Sequence, residues 1–273
     1  AVIDDFADSY LRGETPIPCV RCNQTVKFQD LLKTAKDLGA DALCTGHYVK
    51  RVVGSQGTEL HCGEDPTKDQ SYFLFATTQE QLDYLRFPLG HLSKDETRAH
   101  AARFKLDVAE KPDSQDICFV PDGRYSDVVK RLRPGAIDPG KIVHIDGSIL
   151  GDHDGIINFT IGQRKGLGIG GRVAAESIGE SPPLYVLELD PTQKTVIVGP
   201  KSALARDTVL VNQINWIGAD SPLTDSLDVL VKLRSTQEPV HGTLCRANNE
   251  EGRLVLKQKQ FGISSGQAAV FYS

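Results

Sequence analysis

Two cysteines three positions apart offer the first chemistry in this chain: Cys19-Val20-Arg21-Cys22. They follow Thr15-Pro16-Ile17-Pro18, which cannot be helix interior, and they precede a helical pattern. Amide groups at a helix start and the Arg21 guanidinium would both favour thiolate over thiol, and the thiolate is the reactive form. The pair alone fits a reactive thiolate, half of a structural zinc site, or a thioredoxin-like redox couple. Zinc normally takes a second paired motif, and the chain has no other CxxC and no HxxxH. Cys118 lies in Asp113-Ser114-Gln115-Asp116-Ile117-Cys118-Phe119-Val120, a polar, acidic segment that reads alone as either a reactive site or a buried strand. Gly46-His47-Tyr48 and Lys68-Asp69-Gln70-Ser71-Tyr72-Phe73-Leu74 are two further blocks, each compatible with surface loop when taken singly. Cys44, Cys62 and Cys245 are assigned to structure.

These residues need elements to hold them. Val2, Phe6 and Tyr10 recur at helical spacing, and Gly13 closes that segment. Phe28, Leu31, Leu32 and Ala35 recur at i, i+3, i+4, i+7 and predict an amphipathic helix ending near Gly39. Ala42-Leu43-Cys44-Thr45 reads as a short buried strand running into Gly46, the rhythm of a parallel α/β sheet. Helices are predicted over 79–86, 94–104 and 124–133, after which Pro134-Gly135 and Pro139-Gly140 break the chain. Beyond residue 140 short alternating stretches, at 141–145, 184–189, 196–198, 227–233 and 253–257, predict antiparallel sheet. Such spacing suits a small β domain followed by a β-barrel. The glycine-rich run 166–171 lacks the GxxxxGK[ST] order of a phosphate loop and is predicted to be a hairpin loop.

A length of 273 residues suits two or three domains, and the soluble-type composition holds no run of eighteen apolar residues that could span a membrane. The opening Ala1-Val2-Ile3-Asp4-Asp5 carries acid where a signal peptide has basic residues, so a cytosolic setting with reduced cysteines is expected. The chain starts at Ala1 and has no methionine, so a missing beginning is expected as well. A net charge of −5 argues mildly against a nucleic-acid partner. Charge is local, however. Arg124, Lys130, Arg131 and Arg133 face Asp122 and Asp127, and 163–172 holds three basic residues and no acid. Solvated surface is the commoner reading of such runs.

Taken together the blocks resemble a known family. Cys22-Asn23, Lys27-Phe28, Thr45-Gly46-His47-Tyr48, Lys68 to Leu74, Asp116-Ile117-Cys118-Phe119, Gly162-Gln163-Arg164-Lys165-Gly166-Leu167-Gly168 and Gly266-Gln267-Ala268-Ala269-Val270-Phe271-Tyr272 stand in the order seen in tRNA 2-thiouridylases. The resemblance runs over essentially the whole chain. It implies an α/β nucleotide-binding domain of the adenine nucleotide alpha-hydrolase type, incomplete at its N-terminus, then a small mostly-β adaptor domain and a C-terminal β-barrel. The limits read from the sequence are 1–133, 134–202 and 203–273.

The activity implied is ATP-dependent 2-thiolation of a wobble uridine: adenylation of the C2 oxygen, then sulfur transfer from a persulfide on Cys118, with Cys22 as the partner thiol that ends in a disulfide. The implied cofactors are ATP and Mg2+. The implied partners are tRNA and a sulfur-donor relay protein or cysteine desulfurase, with no membrane. Gly46 resembles backbone that approaches ATP. Ile17, Pro18 and Cys19 match a loop meeting the target base, and His47, Lys68, Asp69, Gln70, Arg234, Ser235 and Gln267 match tRNA contacts. Two departures stand out. Cys19 occupies a place where many relatives have Asp, so Cys19, Cys22 and Cys118 could instead ligate an iron–sulfur cluster. The Ser-Gly-Gly-x-Asp-Ser loop that grips ATP is not among the 273 residues, so it is expected before Ala1 and the chain as written is expected to bind ATP poorly. Two other readings fit fewer features: an RNA-binding module with a cysteine-held structural metal, and an amidating enzyme that adenylates a carbonyl by the same loop.

Overall fold

The computed structural model describes residues 2–55, 57–111, 117–120, 124–169, 182–217, 226–248 and 250–273. Asp113 to Asp116 and the end of the glycine-rich run, from Gly170 on, therefore lie outside the described residues.

Helix α1 (Val2–Leu11) buries Phe6, Ala7 and Tyr10, the face its spacing predicted. One continuous helical rod follows. It opens as α2 (Pro18–Arg21), widens into a π-helix over Cys22–Leu31, and returns to α geometry in α3 (Leu32–Asp37). Pro18 suits the first helical position, where the missing N–H has no partner to lose. The wider π turn rotates the apolar stripe, so Phe28 and Leu32 are buried while Leu31 is 50% exposed. That differs from the plain amphipathic helix read from the sequence, whose spacing assumes α geometry throughout.

Strand β1 (Leu43–Cys44) pairs in parallel with β4 (Leu85–Arg86). A hairpin of β2 (Val49–Gly54) and β3 (Gly57–Cys62), absent from the sequence reading, lies between them in the chain. Helix α4 (Gln79–Tyr84) starts on a capping box of Thr78 and Gln81. It ends two residues before the predicted limit because Leu85 and Arg86 extend to meet β1. The expectation of a buried β1 is corrected: Cys44 is exposed, since among the described residues the strand has one neighbour. Helix α5 (Lys94–Arg103) is capped by Ser93 and Glu96 and buries no residue. Helix α6 (Tyr125–Leu132) packs Val128 and Val129 against α1.

The middle of the chain forms a four-stranded sheet in the order β6–β5–β8–β7, from β5 (Gly140–His144), β6 (Ile149–His153), β7 (Leu184–Asp190) and β8 (Thr195–Pro200). Its β5–β8 pairing is parallel, where the sequence reading had antiparallel sheet throughout. The last part forms a five-stranded antiparallel sheet, β13–β10–β11–β12–β9. Its strands are β9 (Ala205–Val211), β10 (Ser226–Lys232), β11 (Val240–Arg246), β12 (Gly252–Phe261) and β13 (Val270–Tyr272). Alternation along β12 sends Leu254 and Leu256 inward beside Leu244, Val229 and Val231. No described helix is long and apolar enough to cross a membrane.

Candidate active site on the first helix and the 71–75 turn

Cys118 stands exposed on a tight turn closed by the Val120 amide donating to the Ile117 carbonyl at 2.8 Å. Its neighbours hold that turn down. Val120 is buried, and Phe119 sets its ring edge-on to Phe6 of α1 at 5.2 Å. The second thiol is mounted on the same helix. Arg21, the residue before Cys22, reaches Asp5 of α1 with its Nε at 3.2 Å and also donates to Gln24 at 3.1 Å. Asp5 and Phe6 are consecutive, so α1 carries both thiol-bearing segments at one level.

Two expectations about Cys22 change. Its amide is already bonded to the Pro18 and Cys19 carbonyls, so Cys22 lies past the helix start and Cys19 occupies the first turn instead. The Arg21 guanidinium is turned to Asp5 rather than being held for the thiolate. None of the six cysteines is in a disulfide, and among the described residues no group of three or more His, Cys, Asp and Glu could hold a metal. Cys19, Cys22 and Cys118 therefore do not assemble as a cluster ligand set here.

Gly46 lies two residues past β1, beyond the carboxyl end of a parallel strand, where nucleotides sit in α/β sheets. It is exposed, and a Cβ added there would meet only Leu89 Cδ1, at 3.6 Å, so the backbone faces open space. His47 beside it shares a 2.7 Å hydrogen bond with Thr45 and packs between Phe28 and Phe87. Burial, helped by the nearby Lys27 charge, pulls its pKa down to about 4. His47 thus carries a neutral ring at pH 7, not a cation.

Asp69 and Gln70 are committed internally. The Asp69 carboxylate, 5% exposed, accepts from the Gly63 amide at 3.0 Å, the Ser71 amide at 3.2 Å and the Ser71 hydroxyl at 2.7 Å, with Lys232 at 3.8 Å. Gln70 accepts from the Tyr48 amide at 2.9 Å. Lys68 is half-buried. This turn is also where the C-terminal sheet is bolted on. Ser71 meets the Tyr272 hydroxyl at 3.0 Å, Tyr72 donates to the Ala268 carbonyl at 3.2 Å, and Asn215 donates to the Phe75 and Thr77 carbonyls at 2.7 and 2.8 Å. Burial pushes both tyrosines up to about 12, so they stay protonated donors. The sequence reading missed Asn215 and Tyr272 as anchors. Their partners lie 138 or more positions away, beyond any local pattern.

Between the helices and the C-terminal sheet lies a cleft of about 1590 Å³, lined among others by Ile17, Arg21, Gln24, Cys62 and Gln267. Pro18 is buried and Cys19 exposed. Gly266, with φ of +82°, lets the loop before β13 pass the Glu14–Thr15 backbone, where a Cβ would come within 3.0 Å of Glu14. The Thr15 amide donates to Ser265 there at 2.9 Å. Arg234 spans to the Phe261 and Gly262 carbonyls, and Ser235 follows it, half-buried. Of the basic groups near α6, Arg133 is paired with Asp8 at 2.8 Å and Asp4 at 3.3 Å, and Arg124 with Asp127 at 3.3 Å.

An α/β domain, an exposed Cys118 and a half-buried Cys22 in segments that both contact α1, and two β domains after them fit an α/β sulfur-transfer class of enzyme. Residues 1–122 match the tRNA methyl transferase HUP domain, 126–200 the tRNA methyl transferase PRC-barrel domain and 206–273 the aminomethyltransferase beta-barrel domain. The tRNA-specific 2-thiouridylase MnmA of Rhodospirillum centenum is 61% identical over the whole chain, which covers 69% of that relative. The proteins of the same name from Ruegeria pomeroyi and Paracoccus denitrificans are 57% and 55% identical, with 71% and 68% of their lengths covered. The chain belongs to the tRNA-specific 2-thiouridylase family.

Proposed function

We propose that this chain supplies the reacting thiols and the tRNA-binding surface for ATP-dependent 2-thiolation of the wobble uridine of tRNA, with Cys118 as the persulfide cysteine and Cys22 as its partner thiol, the loop that grips ATP not being among these 273 residues. Membership of the family supports the thiolation of tRNA uridine. The observation that carries the assignment of residues is the mounting of both thiol segments on adjacent residues of α1, Asp5 and Phe6.

Gly46, just past the β1 end, is the backbone that would approach ATP; when bound with Mg2+, ATP would supply the adenylyl group that turns the uridine C2 oxygen into a phosphate-ester leaving group. A sulfur-donor relay protein or cysteine desulfurase loads Cys118, whose exposed turn leaves it open to docking. The terminal sulfur of that persulfide attacks C2, and the activated oxygen departs. The Cys22 thiolate then attacks Cys118 Sγ. The bond between Sγ and the transferred sulfur breaks, its electron pair goes to that sulfur, and a Cys22–Cys118 disulfide remains. A dithiol reductant restores the pair, which suits the reducing cytosol. Cys19, Cys22 and Cys118 do not gather as cluster ligands in this structure, and the steps above need no cluster.

Ile17 and Cys19 meet the target base in this reading, and His47, Lys68, Arg234, Ser235 and Gln267 meet the rest of the tRNA. Pro18, Asp69 and Gln70 act by holding those neighbours, since their own groups are buried or engaged. Mass spectrometry of tRNA nucleosides tests the proposal in a strain lacking its own thiolase and complemented with the protein. Cys22→Ser and Cys118→Ser each lose 2-thiouridine while the protein keeps its native melting transition. Normal 2-thiouridine from the double variant would sink the proposal. An amidating enzyme would tolerate Cys118→Ser, and a module with a cysteine-held structural metal would unfold with Cys22→Ala.

A further inference from the structure

Asn23 directly follows Cys22 in the first turn of the π segment and is 4% exposed. Its Nδ2 donates to the Phe73 carbonyl at 3.1 Å, while its Oδ1 is buried with no hydrogen-bond partner. An orphaned buried acceptor costs about 1–3 kcal/mol, so a leucine would serve better if the position only filled space. The one bond the amide makes is therefore its distinctive contribution at this position.

Phe73 lies in the middle of the turn to which the C-terminal sheet is bolted. On one side of it Ser71 and Tyr72 bond to Tyr272 and Ala268; on the other, the Phe75 carbonyl receives Asn215. The bonds along residues 71–75 therefore run outward to the C-terminal domain at both ends and inward to the Cys22 helix in the centre. The helix changes from α to π geometry at Cys22, so the orientation of Cys22 depends on what holds the π turn.

We propose that Asn23 is a positioning residue that transmits the seating of the C-terminal domain to the Cys22 thiol, through the Phe73 carbonyl. The sulfur-transfer site is thereby in register only when the domain that helps grip the tRNA is docked. This rests on the reading of Cys22 as a reacting thiol, but its test does not need turnover.

The rate of alkylation of each cysteine by iodoacetamide is measured on the folded chain by peptide-resolved mass spectrometry, with Cys19 on the same rod as internal reference. Tyr272→Phe and Asn215→Ala each loosen the bolt without touching the Cys22 helix. Each is expected to change the Cys22-to-Cys19 rate ratio by roughly threefold or more, the size of coupling seen between groups in one network. Asn23→Ala is expected to change it as well and to make Asn215→Ala silent when the two are combined. If Asn23→Ala does not fold, the Tyr272→Phe and Asn215→Ala ratios decide alone. An unchanged ratio in both overturns the proposal, and so do fully additive effects of Asn23→Ala and Asn215→Ala. Loss of 2-thiouridine with Cys22→Ser but no change in these ratios would leave the activity standing and remove only the role of Asn23.

Discussion

Asp69 looks from its sequence like a surface acid in a polar block, yet it organises the turn beneath the C-terminal domain. Asp69→Ala strands two amides, a hydroxyl and Lys232, so it is expected to cost roughly 2–4 kcal/mol, read as a lower urea midpoint. His47 makes a second prediction, in pH. Its folded pKa of about 4 lies below the ordinary 6.5, so below pH 6.5 the unfolded chain takes up a proton that the folded chain refuses. The stability from this group is full above about pH 6.5 and declines as the pH falls toward 4; with a half-buried ring, roughly 1–3 kcal/mol is at stake. His153 acts in the same sense, since burial lowers its pKa too and its neutral ring accepts from the Gly155 amide at 3.0 Å. Replacing His47 by Gln should flatten the acid limb of the stability profile between pH 6.5 and 4. A variant with an unchanged limb would show that the ring is solvated.

Helix α1 is the common mount for both thiols, and its hold comes from one apolar face. Phe6 touches Tyr10, Phe119 and Tyr125. Phe6→Ala is expected to cost about 3–5 kcal/mol. Its particular signature is faster alkylation of Cys118 at denaturant concentrations where the C-terminal sheet is still folded. Helix α5 is the contrasting case. It buries nothing, so its ends matter more than its face. Ser93→Ala removes the cap bond to the Glu96 amide and should cost about 1 kcal/mol. Hydrogen exchange should speed up in 94–103 alone, and a global loss of protection would show that α5 is part of the cooperative core.

For the molecule as a whole, a net charge of −5 must coexist with RNA binding, which makes the attraction local and few-sited. If Lys68 contacts a phosphate, Lys68→Gln should lower the salt slope of tRNA binding by about one and leave base preference unchanged. An unchanged slope would remove Lys68 from the interface. Much of this organisation was legible in advance. The apolar spacing of Val2, Phe6 and Tyr10 located α1, because a helix buried on one side repeats every three or four residues. Alternation located most of the late strands, because a strand buried on one face repeats every two. The β2–β3 hairpin was not legible, since Val52 and Val53 at its tip are exposed and break the alternation. Nor was the parallel β5–β8 pairing, which joins residues more than fifty positions apart.

The amino-acid order by itself determined which groups can react, the two distant thiols above all, because chemical identity needs no fold. It also determined the local elements, because period and capping are properties of neighbours. Only the tertiary structure decided that Arg21 serves Asp5, that Asp69 faces inward, and that both thiol segments rest on one helix. Those outcomes depend on partners brought together from remote parts of the chain, where burial sets whether a charge is offered to a ligand or consumed by the protein.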